Sequence, residues 1–139
     1  MLIEFRVTNY RSFRADQALS LVAATFSEHD ETNTFKSGIR GFDRFLRSAV
    51  VYGPNAAGKT NLLRGLQFMQ QMVINSAAQP SLAATLYSPH KFSAETRTAP
   101  SKFEVTFAES GVRYEYGFSV GPERIESEWL IEYLTAKGR

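Results

Sequence analysis

The chain has 139 residues, 43% of them apolar and 13% aromatic, enough for one domain with its own core or for part of a larger one. Sixteen Lys and Arg against fourteen Asp and Glu leave an excess too small to point to nucleic acid by itself. Without cysteine there is neither a disulfide frame nor a thiolate metal site. No apolar run nears the ~20 residues of a membrane span, and the early charges Glu4 and Arg6 are unlike a signal peptide, so a soluble cytoplasmic protein is expected.

Residues 2–9 alternate, with Ile3, Phe5 and Val7 on one face and Glu4, Arg6 and Thr8 on the other, which predicts a half-buried strand. Residues 10–14 follow as a basic, aromatic turn. A second strand is expected within 17–23, pairing with the first. Residues 24–43 are polar and read as a long loop with at most one short element. Residues 42–46 read as a short helical lead-in to a buried strand at 47–52 (Arg-Ser-Ala-Val-Val-Tyr).

Residues 53–60 read Gly-Pro-Asn-Ala-Ala-Gly-Lys-Thr and fit G-x-x-x-x-G-K-[ST], the phosphate-binding P-loop. Strand, glycine loop and helix is the context that motif requires. Gly53 lets the chain leave the strand sharply, and Gly58 lets the backbone approach a phosphate. Amides from Asn55 through Ala56, Ala57 and Gly58 to Thr60 form an anion nest, reinforced by the positive end of the helix. Lys59 reaches the β- and γ-phosphates as a compact charge, and the Thr60 hydroxyl sits on Mg²⁺. A flexible glycine turn with a surface lysine is the bland alternative, and the fit of both flanks argues against it.

The helix after the loop carries Leu62, Leu66, Met69 and Val73 in one apolar stripe, widened by Leu63 and Met72, and is expected to end near Asn75 or Ser76. Residues 77–101 hold Pro80, Pro89 and Pro100 and read as an irregular connection, with a short helix near 82–86. His29 and His90 are isolated and read as surface residues. The last third is β. Residues 103–107, 114–118 and 125–133 alternate, with turns at 109–111 and 121–122, so three strands in an antiparallel meander are expected over 102–135.

No Asp follows Lys59, so no Walker-B strand that would hold Mg²⁺ is visible. A guanine-reading motif and an ABC signature are likewise missing. The loop by itself would be half of an active site, which favours the N-terminal piece of a longer ATPase over a complete small binding domain.

Residues 5–13 (Phe-Arg-Val-Thr-Asn-Tyr-Arg-Ser-Phe) resemble the opening strand and turn of SMC-like and RecF-like ATPases. Residues 53–61, ending in Lys59, Thr60 and Asn61, resemble their Walker A, with Ala56 where Gly is frequent. The order of elements is most similar to bacterial AAA family ATPases of the OLD and abortive-infection type, several of which serve in phage defence beside a nuclease or other effector. The resemblance implies an α/β P-loop NTPase: an ABC-type head lobe with a mixed sheet and an antiparallel β subdomain, incomplete here. Its organisation would be 1–76 (strand pair, Walker A and helix), 77–101 (connection) and 102–135 (antiparallel strands). ATP and Mg²⁺ are the implied cofactors and a head-to-head homodimer the implied assembly, while a nucleic-acid ligand stays open. The resemblance places Arg11 and Ser12 at the turn that approaches the nucleotide phosphates; a solvated basic turn fits them equally well. A P-loop kinase or nucleotide transferase, and a non-catalytic interaction module with a vestigial loop, are the competing functions.

Overall fold

The computed structural model describes residues 1–25, 28–78 and 86–134. A five-stranded antiparallel sheet in the order β2-β1-β5-β6-β7 carries one long helix on one face and a small hairpin at one end. The strands are β1 (Leu2–Thr8), β2 (Gln17–Ser20), β5 (Ser101–Glu109), β6 (Val112–Val120) and β7 (Ile125–Tyr133). The hairpin is β3 (Thr34–Lys36) with β4 (Arg44–Leu46), preceded by the one-turn helix α1 (Asp30–Asn33). The long helix is α2 (Lys59–Asn75).

The alternation in residues 2–8 forms the strand it predicts. Phe5 and Val7 are fully buried beneath α2, facing Val105 and Phe103 across the β1–β5 ladder. A bulge between Leu2 and Glu4 shifts the register, and Ile3 packs in a second cluster with Phe45, Ile39 and Ala108. The expected second strand pairs with β1 as β2, Phe5 opposite Leu19. The meander is present, and its first turn places Ser110 and Gly111 at φ 50° and 82°, the left-handed pair a two-residue hairpin needs. The strands anticipated in 1–76 and in 102–135 share one sheet, because β5 pairs directly with β1.

Tyr10, Phe68, Phe103 and Phe118 form the centre of the main core, with ring centroids 4.6 Å apart for Phe68 and Phe103. Each buried phenylalanine there contributes about 2–3 kcal/mol by removal from water. Gly65 lets α2 approach β1 closely: a Cβ there would lie 3.2 Å from the Phe5 ring. Gly117 does the same on the other face, where the Trp129 ring occupies the space of a Cβ.

Five expectations fail. Residues 47–52 are not a strand. Val50 is 82% and Tyr52 89% exposed, and no strand pairs with them among the described residues; without a partner ladder, apolar composition alone cannot hold an extended segment. For the same reason the expected mixed sheet is antiparallel in every described pairing. Residues 42–46 are not a helical lead-in but end in β4, because Phe45 pairs with Phe35 and fills the second cluster. The region 24–43 holds two elements, α1 and β3, rather than one at most. The buried stripe of α2 is Gly65, Phe68, Met69 and Met72, with Leu62 and Leu66 at its margin; Leu63 is 61% exposed and Val73 is exposed too. The short helix expected near 82–86 falls almost wholly outside the described residues.

Candidate functional site

Two segments far apart in sequence build the site. β1 ends at Thr8, and Asn9 and Arg11 adopt positive φ (52° and 51°), which turns the chain sharply. Tyr10 and Phe13 close that turn with two backbone hydrogen bonds, of 2.9 and 2.8 Å. The turn lies against the glycine loop. A Cβ on Gly58 would meet the Phe13 ring at 2.8 Å and Ser12 Oγ at 3.2 Å, so only glycine fits where loop and turn touch. Gly58 is also left-handed, at φ 95°, and serves as the N-cap of α2.

That cap donates no side chain, so the first-turn amides of α2 receive none of the usual Ser, Thr or Asp oxygen. The helix begins at Lys59 because Gly58 ends the loop and Leu, Arg, Gln and Met follow, all good helix formers. A cavity of about 440 Å³ opens there, lined by residues 55–61 and Ser12. Lys59 Nζ donates to the carbonyls of Gly53 (2.7 Å) and Pro54 (2.8 Å), which fixes the ammonium on the loop. The Ala57 amide donates to Pro54 O at 3.3 Å, so it serves the loop's own turn and not the nest expected of residues 55–60. Ala56 sits at φ 64°, a left-handed conformation that costs a non-glycine residue about 1–2 kcal/mol.

Asn55, Ala56, Ala57, Gly58, Lys59, Thr60 and Asn61 thus surround one space, and Ser12 joins them from the turn. Asn61 Nδ2 donates to Ser12 Oγ at 2.9 Å. Gly53 stands at the loop's entrance and contributes a carbonyl. Arg11 is not brought in: its Nε donates to Tyr10 OH at 2.9 Å and its guanidinium lies 5.4 Å from that ring.

Asn9 is a residue that sequence reasoning passed over. Its buried side chain donates to the carbonyls of Thr96, Ala99 and Pro100 and accepts from the His90 amide at 3.0 Å, while Ser101 Oγ donates to its carbonyl. It pins the connection before β5 to the turn that carries Ser12. An Asn directly before a sharp turn was the only available signal, since Asn tolerates the left-handed region. Among the described residues no group of His, Asp and Glu has the arrangement of a metal site. No helix among them is long and apolar enough to cross a membrane.

A glycine loop with a lysine at its close, running into an uncapped helix, is the arrangement of the G-x-x-x-x-G-K-[ST] phosphate-binding motif. The family model described as "AAA domain, putative AbiEii toxin, Type IV TA system" matches residues 48–139, which includes the whole loop and α2. The chain belongs to this AAA-type ATPase family. The match begins after the turn that holds Ser12. No curated protein and no solved structure matches the chain.

Proposed function

We propose that the loop at 53–60 binds ATP with Mg²⁺ as part of an ABC/SMC-like ATPase. The observation that supports this best is the uncapped start of α2 opening on the 440 Å³ cavity with the Lys59 ammonium held beside it. Free first-turn amides and a fixed cation suit an anionic triphosphate. Lys59 would exchange its two carbonyl acceptors for β- and γ-phosphate oxygens, charge-assisted bonds of greater strength. Thr60 would hold Mg²⁺, which supplies charge neutralisation to the phosphates when bound. Asn61 and Ser12 would close the cavity from the side of the turn, and Arg11 would join them only by leaving the Tyr10 hydroxyl.

The 139-residue chain binds nucleotide in this reading but turns it over negligibly, because no Asp follows Lys59 to complete a metal site. A head-to-head dimer, an effector such as a nuclease and a cytoplasmic role in phage defence rest on the resemblance to OLD and abortive-infection ATPases. A kinase or transferase is disfavoured by the placing of its would-be lid arginines: Arg97 donates to Lys91 O, and Arg113 lies at the far end of the sheet.

Isothermal calorimetry with ATP–Mg²⁺ tests the proposal. Saturable binding is expected in the wild-type chain, weakened about 10- to 100-fold in Lys59→Ala by loss of a charged hydrogen-bond donor. Absence of heat, together with no thermal stabilisation, favours the non-catalytic module. Robust hydrolysis abolished by Lys59→Ala would refute the claim of negligible turnover.

A further inference from the structure

β7 is an edge of the sheet, and among the described residues no strand pairs with its outer side. It runs nine residues without the Lys or Pro that often keep an edge from pairing. Its one register shift against β6 lies at its start, between Ile125 and Ser127. What opposes pairing is the charge of Glu126, Glu128 and Glu132. Those carboxylates are turned back onto the sheet. Glu128 accepts from Tyr116 OH at 2.7 Å and Glu132 from Tyr114 OH at 3.5 Å, both on β6, and the Glu126 carboxylate lies against Gly121. Apolar side chains stay in water along the second half of the edge: Leu130 is 64%, Ile131 42% and Leu134 79% exposed.

Two copies of such an edge can pair only in certain registers. A two-fold axis through the seam continues each face of one sheet into the same face of the other. The strands then run antiparallel, and one residue meets itself on the axis. With the axis at Glu126, Glu128 or Glu132, that residue is itself an acid. With the axis at Ser127, Trp129 or Leu130, the acids Glu126 and Glu128, Glu126 and Glu132, or Glu128 and Glu132 stand opposite each other. Like charges directly opposite are destabilising. An axis at Ile131 avoids every such pair: Leu130 meets Glu132, Glu128 meets Leu134 and Trp129 meets Tyr133. Trp129, Ile131 and Tyr133 share one face, where they pair with Gly117, Glu115 and Arg113 of β6. Both copies therefore add to one apolar and aromatic seam. An axis at Ile125 or Tyr133 is free of opposed acids too, but it pairs too little of the strand.

We propose that a second copy of this chain pairs with β7 edge to edge, antiparallel and centred on Ile131, so that two five-stranded sheets become one. The seam is short, and a dissociation constant of roughly 10–100 µM is expected. β7 stands three strands from β1, whose turn bears on the glycine loop, so this pairing needs no nucleotide.

Sedimentation equilibrium of the nucleotide-free chain from ~10 µM to ~1 mM tests this. A monomer–dimer equilibrium is expected, unchanged in Lys59→Ala and abolished by Ile131→Arg, which sets two like charges on the axis. Disulfide formation reads the register, because the chain has no cysteine of its own. A position paired with itself brings two Cα atoms to about 4.5–5.5 Å, within reach of a disulfide. Ile131→Cys should cross-link about tenfold faster than Leu130→Cys or Glu128→Cys, through its higher effective concentration. Random collision gives the reverse order for Leu130, the more exposed of the two apolar positions. Dimers that persist in Ile131→Arg, or cross-linking no faster at Ile131 than at Leu130, would overturn the proposal. So would a monomer at ~1 mM, which would leave the edge to a strand of another protein.

Discussion

Asn61, in the first turn of α2, donates to Ser12 Oγ across 2.9 Å and so ties the turn after β1 to the glycine loop. The bond spans 49 positions of sequence and joins the matched family region to the segment before it. Ser12→Ala removes the acceptor at an exposed position. A stability loss of about 0.5–1.5 kcal/mol is expected in urea unfolding. If Ser12 and Asn61 flank bound nucleotide, ATP–Mg²⁺ affinity falls by more than the change in folding explains, which calorimetry on the same variant measures.

Ala56 carries the cost of a left-handed φ of 64° inside the loop. Ala56→Gly relieves it and gives back part of the gain through the freer unfolded chain. A net stabilisation of about 0.5–1 kcal/mol is expected, read as a higher thermal midpoint.

Gly65 packs against the Phe5 ring with room for no more than a grazing methyl group. Gly65→Val should push α2 off β1 and cost about 1–3 kcal/mol by overpacking. Gly41→Ala is the control: no atom lies within 4 Å of its Cβ, so any loss there comes from the φ of 90° alone.

Asn9→Ala leaves the carbonyls of Thr96, Ala99 and Pro100 and the His90 amide without their shared partner. A loss of about 2–3 kcal/mol or more is expected, since partly buried polar groups would go unpaired. Hydrogen exchange should speed up at His90 and along the connection to β5, while the β6–β7 ladder stays protected.

Tyr116 donates to Glu128 Oε1 at 2.7 Å, and burial, then that bond and the carboxylate's charge, push its phenol well above the usual range. The folded state therefore holds this proton more tightly than the unfolded chain. Its contribution is fully present below the unfolded value near ~10 and is lost as pH rises through the folded one. Absorbance titration should show one tyrosine ionising only as the chain unfolds. Glu128→Gln should bring that step to lower pH.

Local periodicity carried most of the element list. Alternation in 2–8 and in the three strands of 101–133 places their backbones, and the 3.6-residue spacing after Gly58 places α2, because each pattern reports which side chains must face away from water together. The glycine loop was legible residue by residue for a related reason: its spacing states a backbone geometry. Partnership was not legible. Residues 47–52 look like a core strand by composition, yet strand formation depends on a neighbour that no local pattern encodes, and Val50 and Tyr52 stay in water. The face that α2 buries was likewise decided by the sheet: with apolar residues on more than one side, Phe68 and Met72 packed inward and Leu63 and Val73 did not. Ser12 reached the loop and Arg11 did not because the turn's positive φ values, and Tyr10's position in the core, set the direction of each side chain. By itself the sequence determined most of the elements and the motif spacing of the glycine loop, through short-range periodicity and backbone demand. Only the tertiary structure decided which faces meet, because burial is a property of pairs of surfaces and not of either one alone.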